Sequence, residues 1–273
     1  MYILIEDDKI KIKKILVDCV AGAISRTTKK IAEQKSHKPF HRALLTEDIV
    51  KVSSFERSFS TSFGQGPIEK ISELVALQNG FEAKRQKETL LNLYKGAVDE
   101  VERVCSALRS GNQRPNWKKE IQTLAAFNKG DTVVRRVISD LWLKKGNDEY
   151  FISIKTVTPN LDQSEIAKKD MLLLKAENIC FNTFFALYYN PHGINREDYN
   201  HSFPMKMYDM HKDECVLIGK DYWDFLGGVG FYEELIQILP HLKRFDIPLI
   251  AMARNSKSTL ASYSDVFFDI SVN

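Results

Sequence analysis

Apolar residues recur at helical spacing over residues 8–35, where Ile10, Ile12, Ile15, Leu16, Cys19, Val20, Ala23 and Ile24 mark one face of an amphipathic helix with a basic Lys29-Lys30 end. The pattern weakens over residues 36–62, which carry Pro39 and a Ser/Thr-rich stretch and read as irregular. His37 and His41 are four apart, but Pro39 between them argues for a loop with two surface histidines and against a helical metal pair. Pro67 suits the first position of a second helix, with Ile68, Ile71 and Val75 as its stripe. A third helix is expected over Lys84–Arg109, charged on one face, with Leu90, Leu91, Leu93, Val98, Val101, Val104 and Leu108 on the other. Ser110-Gly-Asn-Gln-Arg-Pro115 then breaks the chain.

The periodicity changes at Ile138. From there to Asn160, β-branched and aromatic residues flank Gly146-Asn147-Asp148, a turn signal, and predict a β-hairpin. A helix follows from Asp162 to about Asn178, and Cys180–Tyr189 is an apolar aromatic run that fits a buried strand. The order helix–strand–strand–helix–strand from Pro67 to Tyr189, with a helical insertion at 81–127, predicts an α/β fold: a mixed sheet flanked by helices, with helical N-terminal additions. The expected layout is one domain spanning 1–273, with a helical N-terminal part at 1–62, a core at 63–190 and a C-terminal part at 191–273.

Composition narrows the class. The chain has 273 residues, 44% of them hydrophobic, a mean hydropathy of −0.28 and no apolar run long enough to span a bilayer, so a globular protein is expected. The N-terminus lacks the basic region and apolar core of a signal peptide, which points to the cytoplasm. A net charge of +3 permits a nucleic-acid partner without arguing for one. Cys19, Cys105, Cys180 and Cys215 are far apart, so disulfide and zinc readings are poor.

The hairpin carries the chemistry. With the turn centred near Gly146, Asp140 falls roughly opposite Ile152 and Ser153, and Phe151, Ser153 and Lys155 share one strand face. A buried lysine facing an aspartate is costly unless the charges are paired or used. Metal-dependent nucleases use such a pair: the aspartate holds a divalent ion and the lysine orients or activates the attacking water. A second acid is needed, since Mg²⁺ prefers about six oxygen ligands. Glu165, one turn into the following helix, is one candidate, although Asp162 as N-cap with Glu165 three residues on also reads as a capping box. Glu69 and Glu73 share a face of the second helix, and Glu69, nearer the Gly64-Gln65-Gly66 turn, is preferred. Trp223 and Phe225 read as anchors of a core edge between Asp221 and Asp224, and Gly227-Gly-Val-Gly230 as a turn.

The hairpin resembles the core of the PD-(D/E)xK nucleases, with Asp140 as the first acid and Ser153-Ile154-Lys155 in place of (D/E)xK. Ser139 replaces the proline and Ser153 the second acid; some restriction endonucleases with this departure supply the carboxylate from the following helix. Phe55–Gln65, Ile154–Asn160, Asn195–Tyr199 and Gly219–Gly228 resemble, in collinear order, blocks of the TdeIII family of type II restriction endonucleases. The resemblance runs from about Phe40 to about Tyr232. It implies a Mg²⁺-dependent endonuclease cutting double-stranded DNA within a restriction–modification system, at sites of the GGNCC type. A cognate DNA methyltransferase would accompany it.

On this reading Asp140 coordinates Mg²⁺, Lys155 serves the attacking water, Ser153 holds water or supports the site, and Glu69 or Glu165 completes the metal shell. Arg135, Arg136, Asn160, Gln163, Lys206, Arg254, Asn255 and Lys257 are candidate DNA contacts. A palindromic site predicts a homodimer. A non-catalytic DNA-binding protein on a degenerate nuclease fold, or a structure-specific repair nuclease, are the alternatives.

Overall fold

The computed structural model describes residues 6–32, 39–242, 250–253 and 266–269, and the chain divides into two compact units. One takes residues 4–68 together with 234–273, and the other residues 69–233.

In the first, α1 (Glu6–Ala32) buries Ile12, Leu16, Cys19 and Ala23, spaced as a single helical stripe requires. The stretch 36–62, expected to be irregular, is corrected: its described residues lie mostly in α2 (Pro39–Leu44) and α3 (Glu47–Gln65). His41 therefore lies in a helix, while His37 is outside the described residues. The serines are tolerated because the Ser54 and Ser62 hydroxyls donate to the Val50 and Ser58 carbonyls one turn back, at 2.7 and 2.6 Å. Phe55, Phe59 and Phe63, one turn apart, stack with ring centroids 6.2 and 5.3 Å apart, and Thr46 caps the helix start.

The second unit runs α4 (Pro67–Gln78), β1 (Glu82–Tyr94), α5 (Lys95–Ser110), α6 (Trp117–Leu124), β2 (Thr132–Lys145), β3 (Asp148–Lys155), α7 (Leu161–Glu177), β4 (Asn182–Leu187), α8 (Ser202–Met205), β5 (Val216–Ile218) and α9 (Lys220–Gly227), with α10 (Phe231–Leu242) beginning at its end. Its five strands lie in the order β1-β2-β3-β4-β5; the first two pairings are antiparallel and the last two parallel. Helix α7 makes the crossover that the parallel β3–β4 pair requires. This is the expected α/β mixed sheet with flanking helices. Two further strands, β6 (Ile250–Ala253) and β7 (Val266–Asp269), pair in parallel within the other unit.

The helix expected over Lys84–Arg109 is corrected to a strand followed by a helix. Leu91 and Leu93 are buried while Leu90 and Asn92 are exposed, a period of two, and helical spacing begins only at Val98, Val101, Cys105 and Leu108. Lys, Arg and Glu suit a helix by propensity, but pairing with β2 along the whole segment overrides it.

Helices α5, α6 and α7 bury Val98, Val101, Leu108, Trp117 and Met171–Leu174 against Leu91, Leu93, Phe151 and Phe185 of the sheet. Elsewhere in the unit, Phe81, Tyr150, Phe184 and Phe225 form an aromatic cluster with ring centroids 5.2–6.4 Å apart. Trp223 is buried and donates to the Tyr188 carbonyl at 2.8 Å, so Trp223 and Phe225 do anchor the end of the core, and Gly227–Gly230 turns the chain between α9 and α10. Asp224 accepts from Lys220 and from the Tyr232 N–H, and Asp221 lies 3.9 Å from Arg196, so each is engaged separately.

A fully buried ion pair joins α6 to α7. Lys168 Nζ lies 2.5 Å from Glu120 Oε2, over the rings of Trp117 and Tyr208 at 4.7 and 4.6 Å. Removing one member leaves an uncompensated buried charge. Lys168→Met should therefore cost about 3–5 kcal/mol of unfolding free energy, and Lys168→Met with Glu120→Leu should recover most of it. Denaturant melts of the two variants check this; a double variant no more stable than the single one would contradict it.

Candidate active site

The hairpin folds as its turn chemistry dictates. Lys145 pairs with Asp148 across a two-residue turn that starts at Gly146, whose φ of 63° favours glycine. Leu141 pairs with Ile152, so the next position on β2, Asp140, comes opposite Ser153. Three donors converge on one carboxylate oxygen of Asp140: the Ile154 N–H at 2.8 Å, Lys155 Nζ at 2.9 Å and the Ser153 hydroxyl at 3.4 Å. Asp140 and Lys155 are each about one-fifth exposed, 21% by side chain, so their charges are paired and still open to solvent. The second oxygen, Oδ1, has no protein partner among the described residues and can meet a cation.

Helix α4 supplies Glu69 and Glu73. Glu73 is held by Arg85 of β1 at 2.7 Å, whereas Glu69 accepts from Gln86 Nε2 at 3.0 Å. Burial pushes the Glu69 carboxyl above its ordinary range; the Gln86 hydrogen bond opposes this, the Asp140 charge adds to it, and Arg85 and Lys155 oppose it. Glu69 thus shares an electrostatic field with both hairpin residues, and Glu73 is tied to its neighbour.

Helix α7 departs from expectation at its start. The N-cap is Asn160, whose side chain accepts the Gln163 N–H at 2.8 Å while Gln163 Oε1 accepts the Asn160 N–H at 3.1 Å. The cap expected at Asp162 with Glu165 is therefore corrected by two residues: the pair Asn160/Gln163 satisfies the same orphan donors. Asp162 and Glu165 instead form an ion pair with Arg109 of α5. One turn and a half further on stands Asp170, a half-buried carboxylate that the sequence reading missed. Burial raises its pKa to about 6, Lys155 and Lys169 draw it down, and Asp140 pushes it up. The signal was present: Asp170 is the sole acid of α7 between Glu165 and Glu177, and it directly precedes the buried run Met171–Leu174. Tyr222 of α9, fully buried, donates to Ser72 at 2.6 Å, and its hydroxyl also feels Asp140 and Glu69.

The structure therefore puts Asp140, Ser153 and Lys155 in contact, has Glu69 and Asp170 feel the charges of Asp140 and Lys155, and leaves Glu165 with α5. The candidate DNA contacts are scattered. Arg135 and Arg136 project from the exposed part of β2, where Arg136 pairs with Glu88 at 2.9 Å. The Asn160 and Gln163 side chains are engaged in the cap, and Lys206 is exposed at the end of α8. Arg254, Asn255 and Lys257 lie outside the described residues.

Among the described residues no three His, Cys, Asp or Glu side chains gather closely enough to hold a metal alone. The open Asp140 oxygen and the Glu69 and Asp170 carboxyls that feel its charge are oxygen donors, the type that suits a hard divalent cation which keeps waters and shares its shell with substrate phosphate. Cys105, Cys180 and Cys215 are free thiols, and no described helix is long and apolar enough to cross a membrane.

Comparison with known proteins agrees with this chemistry. The sequence pattern of type II restriction endonuclease HinfI matches residues 8–243. The type II restriction enzyme HgiCII of Herpetosiphon aurantiacus is 28% identical over 211 residues, covering 74% of this chain and 76% of that protein. HgiEI of the same organism is 26% identical over 209 residues, covering 74% and 75%. The type II restriction enzyme MjaII of Methanocaldococcus jannaschii is 26% identical over 224 residues, covering 70% of this chain and 58% of that protein. The enzyme class implied by the four sequence blocks is thus met, and since the family pattern extends over most of the chain and across the Asp140–Lys155 hairpin, this protein belongs to the HinfI family of type II restriction endonucleases.

Proposed function

We propose that this endonuclease hydrolyses phosphodiester bonds of double-stranded DNA with Mg²⁺ held by Asp140 and Glu69, and with Lys155 serving the attacking water. The observation that carries the reading is the 2.9 Å approach of Lys155 to Asp140 across the hairpin, which leaves the other Asp140 oxygen open. Mg²⁺, when bound, would polarise the scissile phosphate and lower the pKa of a coordinated water. The protein's own part is positional. The Ile154 N–H and the Ser153 hydroxyl fix the Asp140 carboxylate, and Lys155 places a positive charge where negative charge develops on the phosphate. Asp170, not Glu165, is favoured as the acid from the helix after the catalytic strand, because Glu165 is bound to Arg109 while Asp170 shares the field of Lys155 and Asp140. All five residues lie within the 63–190 span expected for the nuclease core.

The finer assignments extend the same reading. GGNCC-type recognition is supported by the resemblance of the sequence blocks. A homodimer follows from two-strand cleavage at a palindromic site, and a cytoplasmic location beside a cognate methyltransferase from the restriction–modification reading. Arg135 and Arg136, on the exposed part of β2, are the described side chains best placed to meet DNA.

Plasmid incubated with the protein and Mg²⁺ should yield discrete fragments, and EDTA should abolish them. Asp140→Ala and Lys155→Ala should each lower the rate by about 10² or more while gel-shift binding persists. Near wild-type cutting by either variant would place the active site elsewhere. Glu69→Gln and Asp170→Asn should lower cleavage strongly, with Glu165→Gln much nearer wild type; the reverse ranking would move the second acid to Glu165.

The raised pKa of Asp170 also has a stability consequence. The folded state holds this proton up to about pH 6, the unfolded chain only to about 3.8, so the contribution is complete below about pH 4 and lost as pH rises through 6. In EDTA at pH 8, Asp170→Asn should therefore stabilise the fold by roughly 1–3 kcal/mol, and the gain should vanish near pH 4. Thermal melts at the two pH values decide it, since an equal gap at both would contradict the assigned burial.

A further inference from the structure

Gln86 of β1 has φ of 50°, in the left-handed region, and is the one non-glycine residue with positive φ among those described. That conformation costs a glutamine energy, and it sits in the interior of a thirteen-residue strand, where nothing in a regular ladder demands it. Its position is informative. Arg85 pairs with Leu141 and Lys87 with Ser139, so Gln86 stands opposite Asp140 and the register is the same on both sides of it. No residue has been inserted; the strands change faces instead.

Side-chain contacts record the change. On a regular strand, Arg85 and Leu91, six apart, would share a face. Arg85 instead reaches Glu73 on α4, while Leu91 and Leu93 enter the core built by α5, α6 and α7. On β2, Val137 and Trp142 are five apart and should face opposite ways, yet both pack on that same core. Lys87, two residues after Arg85, lies over the Trp142 ring at 5.0 Å. Alternation is thus broken once in each strand, at the Gln86–Asp140 level. The Gln86 amide, which sits at this break, donates to Glu69 Oε2 at 3.0 Å.

We propose that Gln86 is a positioning residue of the cleavage site: its left-handed backbone turns the β1–β2 ribbon over at Asp140, and its amide holds the Glu69 carboxylate beside that of Asp140. The inference rests on the reading of Asp140 and Glu69 as the cation-binding acids. The strain at Gln86 then has a use. A regular strand there would leave both ribbon segments facing one way, so the α4 acid and the β2 acid would not be brought to one place. A glutamine is suited because its amide donates to a carboxylate without adding a third negative charge.

Two substitutions separate the backbone from the amide. Gln86→Gly keeps the left-handed conformation at no steric cost and removes the donor. Gln86→Met keeps the length and removes only the hydrogen bond. Mn²⁺ binding to the full chain, followed by titration calorimetry, and cleavage at saturating Mg²⁺ are the readouts. Gln86→Gly should melt at or above the wild-type temperature yet bind Mn²⁺ about 10-fold more weakly and cut more slowly, and Gln86→Met should lose affinity to a similar extent. Glu69→Gln, measured alongside, should lose Mn²⁺ affinity as well. If Glu69→Gln does and both Gln86 variants bind Mn²⁺ as wild type does, the positioning role is overturned while the site stands. If Glu69→Gln itself binds Mn²⁺ and cleaves like wild type, the metal-site reading on which the inference rests is what fails. A Gln86→Gly variant that melts lower with unchanged Mn²⁺ affinity would mark the residue as merely structural and likewise overturn the proposal.

Discussion

The ion pair between Asp140 and Lys155 is the interaction around which the rest of the 69–233 unit is arranged. Two opposite charges one-fifth exposed must be paired to be tolerated. They can be paired at 2.9 Å only if β2 and β3 hold their register to the residue. A slip of one position would send Asp140 to the other face of the sheet and leave Lys155 without a partner. The two-residue turn at Gly146 sets that register, and the buried Leu141, Leu143, Ile152 and Ile154 lock it through burial on the same strands. The geometry of the pair is thus enforced by ordinary strand physics.

Around this pair the acids are supplied from separate elements, each under its own constraint. Glu69 and Glu73 share a face of α4, but Arg85 takes Glu73 and leaves Glu69 with a neutral amide. On α7 the same partition occurs between Glu165, taken by Arg109, and Asp170, which stays in the field of Lys155. In both helices an arginine neutralises one acid, and the other, which feels the charges of Asp140 and Lys155, carries a raised pKa. On the proposed function these are the carboxylates left to accept a divalent ion. The buried Lys168–Glu120 pair plays a different part, since it joins α6 to α7 on the far side of that helix and has no solvent route.

Membership of the HinfI family makes these details functionally legible. A restriction endonuclease must keep its acids close enough to share a cation yet apart enough to stay charged in the free protein. On the proposed function that separation is by element, the hairpin, α4 and α7 each offering a carboxylate, with Ser153 opposite Asp140 where a second strand acid would crowd it.

The hairpin was legible in the sequence because its information is local: a turn at Gly146-Asn147, alternating apolar residues, and an aspartate and a lysine at positions that antiparallel pairing must bring together. The α7 helix and β4 were legible for the same reason. Strand β1 was not, because Lys84–Thr89 carries no apolar period of its own and becomes a strand only by pairing with β2, some fifty residues away. Helix α3 was hidden by serines whose hydroxyls bond back to their own backbone. Asp170, marked only by standing before a buried run, and Gln86 were hard to single out for a deeper reason. An acid in a helix or a glutamine in a strand has no distinctive spacing, and each acquires its meaning from what tertiary packing places opposite it: Lys155 near one, Asp140 and Glu69 beside the other. Residue types and local periods determined which chemistry the chain could perform; tertiary structure decided which distant groups meet, because only the folded sheet sets Lys155 against Asp140 and Gln86 against Glu69.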